Sequence, residues 1–187
     1  MEHPRFNPSQ SVRFDLARGV VSLESSQRLL VPAELLGELW AQASADLKRD
    51  FGRRLGTEIG RRVTTRLGAD RVEHAAIDVV VEHLGGDLAL TGLGNLSLER
   101  WGRALVLTVA DSPLHGPGDE LLAAIVEGAV QRLLRRDTGV VVLTREDSLV
   151  RLLVVNPTTA QRVKDWLREG VAWGDALTRL NAGKGAE

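Results

Sequence analysis

Apolar and polar positions first alternate with a period of two. Val12, Phe14 and Leu16 lie on one side of Arg18-Gly19, and Val21 and Leu23 lie on the other. That pattern predicts a hairpin or a pair of short strands, followed by the apolar run Leu29-Leu30-Val31. Pro32 then opens a helix, with Glu34 in its first turn near the positive end of the dipole. Leu35, Leu36, Leu39 and Trp40 recur at helical spacing. Leu47, Phe51, Leu55, Ile59, Val63 and Leu67 then recur every fourth residue up to Gly68. The stripe predicts a long amphipathic helix over 33–67, roughly 50 Å if unbroken at 1.5 Å per residue, with Ser44–Asp50 as the place for a break.

Over 72–84, Ile77, Val80, Val81 and Leu84 make a helix face, and Gly85-Gly86 reads as its stop. Leu88 and Leu90, Leu96 and Leu98, and Leu105, Leu107 and Val109 then alternate as in an antiparallel hairpin, with Trp101-Gly102 at a tip. After the breaker-rich loop 112–118, Asp119 caps a helix whose stripe runs from Leu121 to Leu134. Arg132, Arg135 and Arg136 suit its C-terminal end. Gly139–Leu143 and Leu149–Val155 form a second hairpin. Asn156 as cap and Pro157 at the first position start a helix carrying Ala160, Val163, Trp166 and Leu167, and a short one follows over 171–180. The order predicts an α+β fold in which helices cover an antiparallel sheet. Residues 1–11 are expected as a flexible arm, 12–155 as the α+β domain, 156–181 as a helical extension and 182–187 as a frayed tail.

Composition narrows the function classes. The 187 residues carry 24 Lys+Arg against 25 Asp+Glu and no cysteine. The near-zero net charge argues against a nucleic-acid partner held by bulk electrostatics. Without cysteine there is no thiol chemistry and no cysteine-ligated metal. No apolar run approaches a membrane span, and the N-terminus lacks a signal-peptide core, so the expectation is a cytoplasmic domain. The basic residues divide into 21 arginines and 3 lysines (Lys48, Lys164, Lys184), a bias that a GC-rich coding sequence produces by itself.

Several stretches resemble one family. "RLLVPAELLGEL" at Arg28–Leu39, "GRRLGTEIGRRV" at Gly52–Val63, "GLGNLSLERWGRALVLTVADSP" at Gly92–Pro113 and "LLAAIVEGAVQRLL" at Leu121–Leu134 resemble the 4-vinyl-reductase domain family, which is related to the small subunits of the TRAPP vesicle tether. The resemblance covers roughly residues 20–155. It implies a divergent bacterial member with a ligand-sensing or assembly role and pairing through helices. Many members end in a hairpin whose two cysteines can hold metal. Here that stretch reads Thr144-Arg145-Glu146-Asp147-Ser148-Leu149-Val150-Arg151, so no metal and no cofactor is expected.

Gly52, Gly56 and Gly60 share one helix face, at about 1 kcal/mol each relative to alanine. Close approach of another element explains that cost, either inside the chain or across a subunit contact. The basic residues from Lys48 to Arg71 alternate with Asp46, Asp50, Glu58 and Asp70, and read as a solvated helix face with i, i+4 pairs. His74 and His83 point to nearly opposite faces. Asp111, Ser112, His115 and Asp119 share a loop without the strained elbow of a hydrolase. Gly92-Leu93-Gly94 reads as a turn or bulge, and Glu127 as an exposed acid off the helix stripe. Trp101 either folds back or serves as a partner anchor.

These observations support a non-enzymatic homodimeric interaction module, without catalytic residues, whose partners are a second copy and a further protein. Gly52, Gly56, Gly60 and Trp101 are the candidate interface. The alternative is a sensor for a small hydrophobic ligand, with Leu55, Ile59, Val63, Val126 and Val130 as candidate pocket walls.

Overall fold

A computed structural model describes residues 11–183, so all but residue 11 of the expected N-terminal arm and residues 184–187 of the expected tail fall outside the described residues, while 182 and 183 belong to the last helix. The fold is α+β, with antiparallel sheets packed against helices. A small meander comes first: β1 (Val12–Asp15), β2 (Val20–Leu23) and β3 (Ser26–Arg28). The predicted hairpin thus gains a third strand, while 29–31 carry no regular structure.

The long N-terminal helix breaks inside the expected window, into α1 (Ala33–Gln42) and α2 (Ala45–Leu67). Ala43 and Ser44 are extended, and the Ser44 hydroxyl accepts the Leu47 N–H at 3.2 Å, which restarts the helix with a side-chain cap. After the single turn α3 (Ala69–Val72), α4 spans Ile77–Leu90 and runs straight through Gly85-Gly86. The expected stop is corrected for a packing reason. A Cβ at Gly85 would lie 2.9 Å from the Leu96 carbonyl oxygen, so glycine there lets the helix lie on the neighbouring strand. Leu88, expected on a strand, is therefore a buried helical residue. Gly92 and Gly94 both take positive φ in the turn that follows, where a side chain is strained.

The main sheet has the order β4-β5-β7-β6, all antiparallel, from β4 (Asn95–Trp101), β5 (Ala104–Ala110), β6 (Gly139–Glu146) and β7 (Leu149–Val155). Between the two hairpins lies α5 (Gly118–Leu134), and after them come α6 (Pro157–Arg168) and α7 (Trp173–Gly183). Strand alternation sorts the apolar residues onto two faces. Leu107, Val109, Val140, Val150, Leu152 and Val154 face α2, α4 and α5 in the larger core. Val106, Val141, Leu143 and Leu153 face α6 and α7, where Ala160, Val163, Leu177 and Leu180 complete a second core. The sheet is therefore covered on both sides. Among the described residues, no helix is long and apolar enough to cross a membrane.

Candidate functional site

The glycine face of α2 meets α5 within the same chain. A Cβ at Gly52 would lie 2.6 Å from the Ala124 Cβ, and one at Gly60 2.7 Å from the Ala129 carbonyl oxygen. At Gly56 it would overlap the Ile125 carbonyl, and at Gly128 on α5 it would overlap the Arg53 backbone. The two helices approach backbone to backbone, and all three α2 glycines are buried. Assignment of Gly52, Gly56 and Gly60 to a subunit interface is corrected accordingly, because α5 already fills that face. Trp101 folds back: its ring meets Trp173 of α7 edge to face, with centroids 4.9 Å apart, and its Nε1 donates to Glu99 at 2.8 Å.

Glu127 is buried rather than exposed. It accepts from Arg53 Nε at 2.6 Å and from the Val140 N–H at 3.1 Å, so the acid lies between two helices and a strand with both oxygens engaged. Arg62 departs further from the expected solvated face. It is 2% exposed, and its Nε donates to Asp87 Oδ1 at 2.9 Å, with Asp87 at 0%. Arg66 spans outward from the same acid, donating to Asp87 Oδ2 and to Glu24 Oε1, each at 3.0 Å. Burial, and after it the charge of Arg62, lower the Arg28 pKa from its usual value.

No catalytic set converges in the loop 111–119. Asp119 is engaged by Arg145 Nε at 2.9 Å, the Ser112 hydroxyl accepts from the Leu114 N–H, and His115 is exposed. Among the described residues, no group of three or more His, Asp or Glu is placed to hold a metal.

A small apolar cleft lies between α4, α5 and β5. Ile77, Val80, Val81 and Leu84 project from the first two turns of α4. Leu105 and Leu107 come from β5, and Val130, Leu133 and Leu134 from α5. Every lining side chain is aliphatic. The free volume is only ≈ 20 Å³, room for about one water-sized sphere with nothing to hydrogen-bond it. The two ends of α4 are held differently. Its second half carries Asp87, clamped by Arg62, and Gly85, pressed on Leu96. Its first half begins at Ala76 without a side-chain cap, and its outer polar tie is the exposed pair Asp78–Arg100 at 3.0 Å.

Of the five wall candidates read from sequence, only Val130 lines this cleft. Ile59, Val63 and Val126 sit at zero exposure in the filled core, and Leu55 packs at its margin. The α4 face 77/80/81/84 is legible in the sequence as a helix stripe. That it, rather than α2, walls the cleft follows from α4 packing on β4, the strand beside β5.

No family model matches the chain, and no curated protein does. Among solved structures, the phenol-responsive sensory domain of the transcription activator PoxR, crystallised with phenol, is similar to this chain: TM-score 0.64 and 12% identity, covering 79% of this chain and 86% of that one. At that identity the likeness is one of fold.

Proposed function

We propose that this chain is a non-enzymatic sensory domain that takes a small, neutral, apolar ligand into the cleft between α4, α5 and β5. The observation that carries this reading is a wholly aliphatic cleft whose α4 wall has a buried ionic clamp at one end and, at the other, apolar packing with an exposed ion pair. The similarity in fold to a phenol-responsive sensory domain supports it. So does the resemblance of residues 28–39, 52–63, 92–113 and 121–134 to 4-vinyl-reductase domains, a membership that forms part of the proposal, as does a cytoplasmic location.

The mechanism follows from size. An apolar cavity that takes a benzene ring measures about 150 Å³, so the closed cleft admits no ring until the first half of α4 swings outward. A ligand that binds only the open form shifts the population towards it. The Asp87 clamp makes the second half of α4 the pivot, so the movement is delivered to the Asp78–Arg100 side of the molecule. With no donor or acceptor in its lining, the cleft selects a hydrocarbon body and penalises charge.

Thermal unfolding with phenol, toluene and cyclohexanol tests the reading. At one hundred times Kd the ligand adds about 2.7 kcal/mol, equivalent to a Tm rise of roughly 5–10 °C for a domain of this size. Val80→Ile, whose one added methylene takes up the ≈ 20 Å³ that is free, lowers that rise while leaving the protein folded. An unchanged rise in Val80→Ile, or none with any of the three, overturns the proposal. Native mass spectrometry of protein purified from its host, with a retained apolar adduct, is the complementary readout.

A second reading, a homodimeric assembly module that also engages another protein, is favoured by a different observation. Leu29, Leu30, Leu35, Leu39, Leu47 and Phe51 all leave apolar surface in solvent between β3 and the first turns of α2. A concentration of that kind marks an interaction surface.

A further inference from the structure

We infer that the groove between α2, α5, β6 and α6 is a second binding site, for a small organic anion that joins a carboxylate to an apolar body. This site is separate from the aliphatic cleft and does not rest on the sensory reading. It is a cavity of ≈ 400 Å³, within the range of small-molecule sites. Three helices each turn one face into it: Ala45, Lys48 and Arg49 on α2, Glu120, Ala123, Ala124 and Glu127 on α5, and Gln161, Lys164, Leu167 and Arg168 on α6. On α5 the spacing is i, i+3, i+4 and i+7, and on α2 and α6 it is likewise three or four residues per step, or one between neighbours on the same side, so each helix offers one face.

Its floor is the outer edge of the sheet. Val140, Val141 and Val142 all line the groove. Side chains alternate between the two faces of a strand, so three consecutive residues reach one cavity only when it meets the strand edge-on. β6 is an outer strand in the order β4-β5-β7-β6, with β7 on its other side. At Val140 this edge already donates its N–H to a carboxylate, Glu127 Oε2, at 3.1 Å. The Val140 N–H therefore points away from β7, and two residues on, the Val142 N–H points the same way.

The charge of the groove favours an anion. Glu127 is neutralised by Arg53, whose Nε lies 2.6 Å from it. Arg49 and Arg168 are paired with Asp46 and Asp165, at 3.5 and 2.8 Å. Lys48 and Lys164 have no ion pair within 4.0 Å among the described residues and face the single remaining acid, Glu120. Two of the chain's 3 lysines thus flank one groove in a protein whose basic residues are otherwise arginine. Lysine offers a compact charge on a flexible stem, suited to a ligand whose carboxylate position varies. Ala123, Ala124, Val142 and Leu167 supply the apolar lining for the body. A carboxylate on the Val142 N–H repeats what Glu127 does at Val140, with a lysine as counter-charge.

Benzoate titrated into the full chain, followed by amide NMR and calorimetry, tests this. The expected result is a saturable shift at Val142, Ala123 and Ala124, with Kd weakened about tenfold or more in Lys164→Met and in Lys48→Met, the scale of one charge-assisted contact. Lys164→Arg keeps affinity within about threefold, and benzyl alcohol, the neutral counterpart, binds at least about tenfold more weakly than benzoate. The cleft variant Val80→Ile leaves these shifts in place, so failure of the cleft reading and failure of this one are distinguishable. Absence of a saturable shift with benzoate and hexanoate, equal affinity for benzyl alcohol, or indifference to both lysine substitutions overturns the inference.

Discussion

The two ends of the described chain carry the same kind of sequence and meet opposite fates. At the C-terminus, α6 and α7 are amphipathic, and their apolar positions find the outer face of the sheet. Ala160, Val163, Leu177 and Leu180 are buried there against Val106, Val141, Leu143 and Leu153. At the N-terminus, β1–β3 and α1 are patterned as clearly, yet Phe14, Leu16, Leu29, Leu30, Leu35 and Leu39 stay in solvent. Only Trp40 of α1 is buried, edge to face with Phe51 at 4.7 Å. An amphipathic pattern states that a face needs cover and not what covers it. The C-terminal helices are cover for the sheet. The N-terminal segment has apolar surface left over, which is why it carries the assembly reading once the glycine face is taken by α5.

Four variants probe that contrast. The largest effect is expected at Asp87→Ala, which strands the buried Arg62 and releases Arg66, the residue that also reaches Glu24 beside the N-terminal meander. Removing one partner of a buried pair costs about 3–5 kcal/mol, and chemical denaturation of the purified variant reads it. Leu177→Ala comes next: loss of a fully buried leucine from the second core costs about 2–5 kcal/mol, measured the same way. If α7 were a loosely held appendage, the loss would stay below about 0.5 kcal/mol, the level of a surface change.

Glu24→Gln removes only the outer, half-exposed half of the Arg66 clasp and is expected to cost less than about 1 kcal/mol. Smallest in stability is the double change Leu35→Ser with Leu39→Ser, within about 0.5 kcal/mol for residues that bury little. That variant discriminates most by mass. Light scattering that shows a dimer for the parent and a monomer for the variant supports the assembly reading. An unchanged dimer moves the contact elsewhere, and a monomeric parent removes it.

Local chemistry made much of the fold legible. Ser44 followed by helix formers, Asn156-Pro157 and the period-two runs of β5, β6 and β7 each declare themselves within a few residues. Legibility failed where the deciding partner is distant in sequence. Gly85-Gly86 has the local form of a stop, and only the Leu96 carbonyl shows why a glycine is needed inside the helix. Arg62 lies among alternating charges that suit a wet surface, and its partner Asp87 is on another helix. Glu127 looks off-stripe on α5 because its partners, Arg53 and Val140, approach from two other elements. For the same reason sequence reasoning puts the pocket wall on α2 rather than α4. Both stripes are apolar, and the glycines that suggest an outside contact are what draw α5 onto α2 and close that side.

On the proposed sensory reading, α4, α5 and β5 enclose a ligand cleft with a movable α4 wall. Methyl NMR during a phenol titration tests it most directly. The predicted result is saturable shifts of the Val80, Val81, Leu105 and Leu133 methyls, backbone shifts spreading over residues 76–84, and little change at Asp87 or on α2. Shifts confined to α1 and the first turns of α2, or spread evenly over the surface without saturation, would contradict it.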